Sequence, residues 1–494
     1  MRPYSAASLF AKRPIDFRDW PGKLDLPVHR CSLIISLLLL VSLAGACTVF
    51  PPPERAKDPV GLPARYHRTV NGSTSVDAWW RSFGSQELNR LMEAALKGNF
   101  DLRSAWARLR QARAEAVKAR AGLFPALDAS LEGSKTRTYA DRELISDREA
   151  WSLGLAASYE LDLWGKLSSE NRSEILTAEA AQGDVRTSAL SLAGELALAW
   201  VDLLAIREEA RVLRGQIRTN EDLLRLQVVR FEKGSASALE VTQQRELLAS
   251  SKSDLPSLKA REQLALNRLA LLVGRADPQA VHIEQESLPR PIPLPGAGIP
   301  ADLLAKRPDV RAAFLRLQAS DWEVSAARAD RLPRLNLSAR AALSSDGFQA
   351  AWGDWLTSLS GDLVGPLLDA GLRKAEVERS KAVAEERLAA YAATVLEAVR
   401  EVQDALANEA GQRERVSRLQ EELRAAEQAR RQARLRYLKG QSDFLNYLTE
   451  QRSVQSLERR LIVARADLVS FRVALYRALG GGWESLQAPR PRAY

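Results

Sequence analysis

The sequence contains one pattern twice, at an offset of about 208 residues. "NFDLRSAWARLRQARAEAVKARAGLFPAL" (99–127) aligns with "RPDVRAAFLRLQASDWEVSAARADRLPRL" (307–335). This offset is too long for a solenoid repeat. A Pro-rich connection (276–300) separates the two copies, and it can be neither regular helix nor central strand. The sequence therefore predicts two related halves, repeat 1 (86–275) and repeat 2 (301–482).

Within each repeat the hydrophobic period changes from helical to alternating directly after a proline, Pro125 or Pro333. Alternating segments are predicted over about 125–137, 150–163, 333–344 and 355–368, with a polar loop inside each pair. Their length fits a tilted membrane strand, which needs about 9–11 residues. In the third segment Leu335, Leu337, Ala339 and Ala341 alternate with Asn336, Ser338 and Arg340. That alternation is typical of a barrel strand with lipid on one side and water on the other.

The remaining segments are helical and very long. Runs over 166–230 and 371–436 would each reach about 100 Å, and return helices follow over 238–274 and 442–479. We predict that Gly165 and Gly371, with Pro125 and Pro333, form the strand–helix junctions. Gly234 and Gly440 would turn the chain between each long helix and its return helix.

Four strands cannot close a pore in lipid, because an open sheet edge leaves unpaired backbone groups there. About eight strands are the minimum for closure, so several chains must share one barrel. A homotrimer would supply twelve strands and a tube of twelve long helices. The predicted fold class is mostly α with a shared membrane β-barrel.

The N-terminus reads as a lipoprotein signal. A short apolar core follows Arg30, and "AGAC" ends at Cys47. We expect cleavage after residue 46, lipid attachment through Cys47, and a lipidated segment over 47–85. The long stretch before the core suggests a true start near 24–28. An ordinary signal peptide with a chance cysteine is the alternative. Residues 483–494 form a C-terminal tail.

Composition excludes several functions. The net charge is +9, but basic and acidic residues are interspersed as on solvated helix faces, so no nucleic acid is expected. Two cysteines near the N-terminus and three scattered histidines give no metal or disulfide framework. No phosphate loop or nucleophile motif occurs, so we predict no enzyme and no cofactor beyond the lipid on Cys47.

Several segments resemble the TolC-like outer membrane efflux proteins, specifically the lipoprotein (NodT-type) branch. These segments are "WWRSFGSQELNRLMEAALKGNFDLRSAWARLRQARA", "SYELDLWGKL", "AKRPDVRAA" and "LYRALGGGW". The resemblance implies a homotrimeric channel in the outer membrane of a Gram-negative bacterium, extending into the periplasm. It would dock onto a periplasmic adaptor and an inner membrane pump, most often of the RND class, and export drugs or other small toxic compounds.

The resemblance also implies roles for the helical tips. Gly234 and Gly440 would lie at the tips that contact the adaptor. A family pattern with leucine, aspartate and arginine would place a periplasmic aperture at Leu445, Thr449 and Arg452. Thr449 departs from this pattern, because the family has aspartate there.

Two other functions remain open at this point. A duct for an ABC-type secretion system shares the fold and would differ in its co-purifying partners. A structural lipoprotein built on coiled coils would have no strands and no conductance.

Overall fold

The structure is a computed structural model that describes residues 50–67, 78–346, 348 and 354–481. Cys47, the predicted signal segment 1–46 and the tail 483–494 lie outside the described residues.

Repeat 1 begins with two helices whose N-termini are each capped by a polar side chain. The Ser85 side chain accepts a hydrogen bond from the backbone of Leu88, and Asn99 does the same for Leu102 at the start of the next helix. The elements in chain order are α1 (Gln86–Gly98), α2 (Phe100–Ala121), β1 (Ala126–Ala140), β2 (Glu143–Leu161), α3 (Lys166–Glu232) and α4 (Ala238–Val273).

Repeat 2 follows the same order after the irregular connection. Pro308 occupies the first turn of its opening helix, where a missing N–H costs nothing. The elements are α5 (Pro308–Ala329), β3 (Arg334–Ser345), β4 (Asp354–Val364), α6 (Leu372–Leu438) and α7 (Phe444–Ala478). The predicted fold class, mostly helical with four strands, is confirmed.

The helices pack around a core that draws on both repeats. Trp200 of α3 is fully buried, and Trp79 stacks on Tyr476 of α7 with ring centroids 5.8 Å apart. Among the described helices, only α3 holds a window long and apolar enough to cross a membrane, and 78% of that window is buried inside the protein. Such burial is typical of a core helix, so this apolar stretch serves packing.

Both repeats close in the same way, with the end of the return helix against the residues that directly precede α2 in repeat 1 and α5 in repeat 2. A Cβ at Gly274 would lie 2.3 Å from the Gly98 carbonyl oxygen, and one at Gly480 would lie 3.0 Å from that of Lys306. Both glycines have positive φ. Glycine is therefore required at these two positions by space and by backbone conformation.

The strands form one antiparallel sheet in the order β1-β2-β3-β4. Leu337 lies opposite Tyr159 on β2 and Gly361 on β4, and Ser338 lies opposite Ser158 and Ser360. In the rows that cross β3, this register places most of the apolar residues on one side of the sheet and most of the polar ones on the other. The faces predicted for Leu337 and Ser338 are thus kept across the sheet.

The predicted polar loop in repeat 1 is wrong, because β2 begins at Glu143 rather than near residue 150. The two strands pair almost to their turn at Asp141 and Arg142, whose φ values of 49° and 72° fit a tight hairpin. Arg137 pairs with Asp147 across the strands at 3.2 Å. The segment is polar because ion pairs replace apolar contacts there.

The fourth strand is shorter than predicted and ends at Val364 rather than at residue 368. Gly365 and Pro366 follow, and Pro366 has no N–H to give to a strand ladder. Gly365 also lies so close to Pro333 that a Cβ would come within 2.8 Å of the proline ring. Leu367 therefore lies outside the strand.

Candidate functional site

The four-stranded sheet exposes a continuous apolar face. The exposed fractions are 69% for Leu127 and 59% for Leu131 on β1, and 83% for Leu359 and 67% for Leu363 on β4. Exposed leucines in such a row would be costly in water and favourable in lipid. The opposite face carries mainly serines, acids and a few arginines at its paired positions, which suits contact with water.

The sheet has two open edges within the chain. β1 pairs only with β2, and β4 pairs only with β3, in the described part of the sheet. In lipid, the outer N–H and C=O groups of β1 and β4 must find partners. The chain is therefore incomplete as a membrane structure until strands from another copy cover both edges.

The junction between sheet and helices is held by one carboxylate that the sequence analysis missed. Asp330, at the end of α5, accepts hydrogen bonds from Lys166 at 2.7 Å and Arg373 at 3.0 Å. Arg334 lies 3.2 Å from the same carboxylate. Asp330 thus connects the first residues of α3, α6 and β3. No sequence pattern around Asp330 indicates these contacts, because Lys166 and Arg373 are far from it in the chain.

Burial alone would raise the pKa of the Asp330 carboxyl. Hydrogen bonds from Lys166 and Arg373 outweigh that effect and hold the pKa below its usual value. Asp330 is therefore ionised at neutral pH, and the junction is a charged cluster. The Trp164 indole adds a neutral connection by donating to the Pro333 carbonyl at 2.6 Å.

The predicted junction residues lie where the chain changes direction. Pro125 and Pro333 each precede the first strand of a repeat. Gly165 (φ 73°) and Gly371 (φ 87°) directly precede α3 and α6. Such φ values favour glycine, and they let the chain turn from strand into helix.

The two helical hairpin tips pack against each other. Gly234 (φ 70°) and Gly440 (φ 68°) turn the chain after α3 and α6. Tyr437 of α6 donates to the Gln227 side chain at 3.0 Å and contacts Glu240 at 2.9 Å, both in repeat 1. Tyr437 is thus a connection between repeats at the tip that the sequence analysis did not identify.

The predicted aperture residues share one side of α7. Leu445 is 54% exposed, and Thr449 donates its hydroxyl to the Leu445 carbonyl one turn back, at 2.9 Å. Arg452 forms an ion pair with Glu246 of α4. The exposure of Leu445 and Thr449 leaves them free for contact with other copies, and their aperture role stays a prediction.

No group of three or more potential metal ligands occurs among the described residues. The site contains no arrangement of nucleophile and base that would indicate bond-breaking chemistry. What it does contain is a two-faced membrane sheet that continues into helices about 100 Å long.

A sheet and helices of this kind define the TolC-like class of outer-membrane channels. Residues 91–275 and 299–481 match the family described as "Outer membrane efflux protein", and the chain belongs to that family. It is an outer-membrane efflux component, a passive conduit rather than an enzyme, and it reaches into the periplasm.

Several known proteins are similar to this chain over nearly its full length. The pyoverdine export outer membrane protein OpmQ of Pseudomonas aeruginosa is 35% identical over 469 residues, covering 91% of this chain and 97% of that protein. OprJ, an outer membrane protein of the same species, is 30% identical over 464 residues, covering 91% and 96%. The solved outer-membrane channel OprN has a TM-score of 0.80 at 29% identity, covering 89% of this chain and 100% of that one.

Proposed function

We propose that three copies of this chain form one lipid-anchored channel, which works with a periplasmic adaptor and an RND-class pump to export small molecules. The observation that carries the proposal is the sheet, with its exposed apolar face and two unpaired edges. Three chains would supply twelve strands, enough for a closed barrel with a water-filled lumen. The polar face would line that lumen.

The N-terminal segment supports the lipid anchor. Arg55 donates to both carboxylate oxygens of Asp321 on α5, at 3.0 and 2.8 Å. Seven residues lie between Cys47 and Arg55, and the eight Cα–Cα steps that join them can extend about 26–29 Å. Asp321 lies only about 12 Å along α5 from the strand side of that helix. A lipid on Cys47 can therefore reach the membrane around the sheet while Arg55 stays bound.

The oligomer and its conductance test the channel. We expect purified protein to be trimeric by native mass spectrometry and to conduct ions in planar bilayers. A monomer that inserts without conductance would refute the proposal. Co-purification from cells would show whether an adaptor and an RND-class pump are bound, or the components of an ABC-type system.

The predicted aperture has its own test. Because Thr449 carries no charge, we propose that Leu445 seals the resting aperture by apolar contact. Leu445→Ala should then raise single-channel conductance, whereas Leu396→Ala, an equally exposed leucine in the middle of α6, should not. Unchanged conductance in Leu445→Ala would exclude this role.

The anchor can be tested by mass spectrometry of the mature N-terminus. We expect a diacylglycerol thioether and an N-linked acyl chain on Cys47, and Cys47→Ala should lose both. An unmodified Cys47 thiol in the mature protein would contradict the lipoprotein assignment.

A further inference from the structure

The polar face of the sheet carries acidic residues in two rows, with Arg340 between them. The cross-strand register arranges it in rows, and one row contains Glu160, Asn336 and Asp362. A row further outward contains Glu132 and Ser344 on either side of Ser152. Arg340 lies between these rows, about 13 Å along β3 from each.

Two basic residues of β3 lie on this face, Arg334 and Arg340, and Arg340 is exposed. Within the described part of the chain it forms neither a hydrogen bond nor an ion pair. The nearest carboxylate in its own row belongs to Asp128, which lies two strands away. Other arginines on the protein surface often pair with acids, as Arg334 does with Asp330 at 3.2 Å on the same strand.

The residues around Arg340 are small. Its cross-strand neighbours are Ala156 and Ser358, and Ala342 follows on β3. On the other side, Ser338 and Ser360 share a hydrogen bond between hydroxyls at 2.7 Å. The guanidinium therefore stands above a floor of small side chains, with hydroxyl groups nearby.

We propose that Arg340 is a cargo-binding subsite in the channel lumen for an anionic oxyacid group: a carboxylate, phosphate or sulfonate. The proposal rests on the proposed trimer, in which three Arg340 residues would line the lumen. A planar guanidinium recognises such groups through paired hydrogen bonds, and adjacent hydroxyls can add further ones. The acidic rows on both sides would hold positive groups, so the lining favours cargo that carries both charges.

Thiol modification tests the subsite without requiring an open channel. In Ser358→Cys, the introduced thiol lies across from Arg340; in Ser152→Cys it lies on the same face but beside Glu132. Purified trimers are treated with a sulfonated thiosulfonate reagent or with its neutral analogue. Mass spectrometry of the peptide that carries each site gives the two rates and their ratio.

Adding Arg340→Ser to Ser358→Cys should lower the ratio of anionic to neutral modification by about three-fold or more. The ratio at Ser152→Cys should not change. Naphthalene disulfonate should protect the Ser358→Cys thiol only while Arg340 is present. A ratio that is equal with and without Arg340 would overturn the proposal, and so would equal protection.

Conductance separates this inference from the proposed function. If the wild-type protein conducts and naphthalene disulfonate added from the extracellular side blocks it, Arg340→Ser should raise the half-blocking concentration about three-fold or more. Arg334→Ser removes the same charge from the same face and should have little effect. A conducting wild type with equal block in Arg340→Ser refutes the subsite alone, whereas a wild type without conductance refutes the channel.

Discussion

The two repeats share their backbone turns but not the polar contacts that fix them. In repeat 1, Asn99 donates to the Leu272 carbonyl at 3.1 Å and so joins the start of α2 to the return helix α4. At the equivalent position in repeat 2, Arg307 donates to the Ala478 carbonyl at 3.0 Å. A neutral amide in repeat 1 and a charged guanidinium in repeat 2 thus form the equivalent hydrogen bond to the end of the return helix.

Arg307 brings further charges into its contact. It is 8% exposed and pairs with Asp309 and Glu401, each at 2.6 Å. Burial alone would lower the pKa of Arg307, but these carboxylates outweigh it and raise the pKa. The strand junction shows a similar difference, since Asp330 of repeat 2 contacts three cations and the equivalent residue in repeat 1 is Gly122. Glycine and proline positions thus recur in both repeats, whereas the charged contacts differ between them.

The largest loss of trimer assembly should come from substitutions in the sheet, where the two repeats are alike. Leu337→Arg places a charge on the apolar face and should cost about 2–4 kcal/mol in each copy near the middle of the membrane. Ala129→Arg, at the equivalent position in β1, should do the same. Ser338→Arg and Ser130→Arg lie on the polar face and should assemble normally. Trimer yield from membranes measures all four, and equal yields would refute the assigned faces.

The next largest loss of stability should differ between the closures of the two repeats. Arg307→Ala leaves two carboxylates and the Ala478 carbonyl without their cation and should cost about 3 kcal/mol. Asn99→Ala loses a helix cap and one hydrogen bond, and should cost about 1–2 kcal/mol. Thermal unfolding followed by tryptophan fluorescence compares the two variants. Equal shifts would mean that the charges around Arg307 add nothing to the closure.

A smaller and pH-dependent effect is expected at the junction. Asp330→Asn should lower stability by about 1–2 kcal/mol at neutral pH, because two charge-assisted hydrogen bonds weaken. The folded protein holds the pKa of Asp330 below its ordinary value of 3.8. Ionisation of Asp330 therefore stabilises the fold above pH 3.8, and this contribution disappears as the pH falls through the lowered pKa.

The difference between wild type and Asp330→Asn should accordingly be constant near neutral pH and shrink below about pH 4. Unfolding midpoints measured across this range check the prediction. A difference that persists unchanged at the acid end would show that the carboxylate charge is not what stabilises the junction.

The smallest loss of stability should come from the outer part of the repeat 1 hairpin, where β1 and β2 pair as far as Ala140 and Glu143. Arg137→Ser removes an ion pair with Asp147 whose side chains are 53% and 37% exposed. Exposed pairs contribute about 0–1 kcal/mol, and salt screens them. Unfolding in low and high salt should differ little from wild type, whereas a loss as large as that of Arg307→Ala would contradict this view.

The sequence predicted the elements well where the signal is local. Pro333 marks a change of direction because its ring restricts the backbone, and Gly371 marks one because the missing Cβ allows a positive φ. The start of β2 was missed because the segment before residue 150 is polar. Apolar and polar residues no longer alternate there, since ion pairs across the hairpin take the place of contacts with lipid. The end of β4 was overestimated because Leu367 continued the apolar pattern past Pro366.

The candidate site was predictable in part. Leu445 and Thr449 were found through a family pattern, and the structure places both on an exposed side of α7. Tyr437 and Glu246 were not found, since each acts through a partner in the other repeat about 200 residues away. A single sequence gives no sign of such pairs.

By itself, the sequence determined the two repeats, the alternating segments and the need for partner chains. These follow from hydrophobic period, from proline and glycine, and from the number of strands that can close in lipid. Only the tertiary structure decided the strand register, the charged cluster around Asp330 and the isolation of Arg340 among small side chains. Register and charge pairing depend on which distant residues meet, and that is fixed when helices and strands pack together rather than by any local pattern.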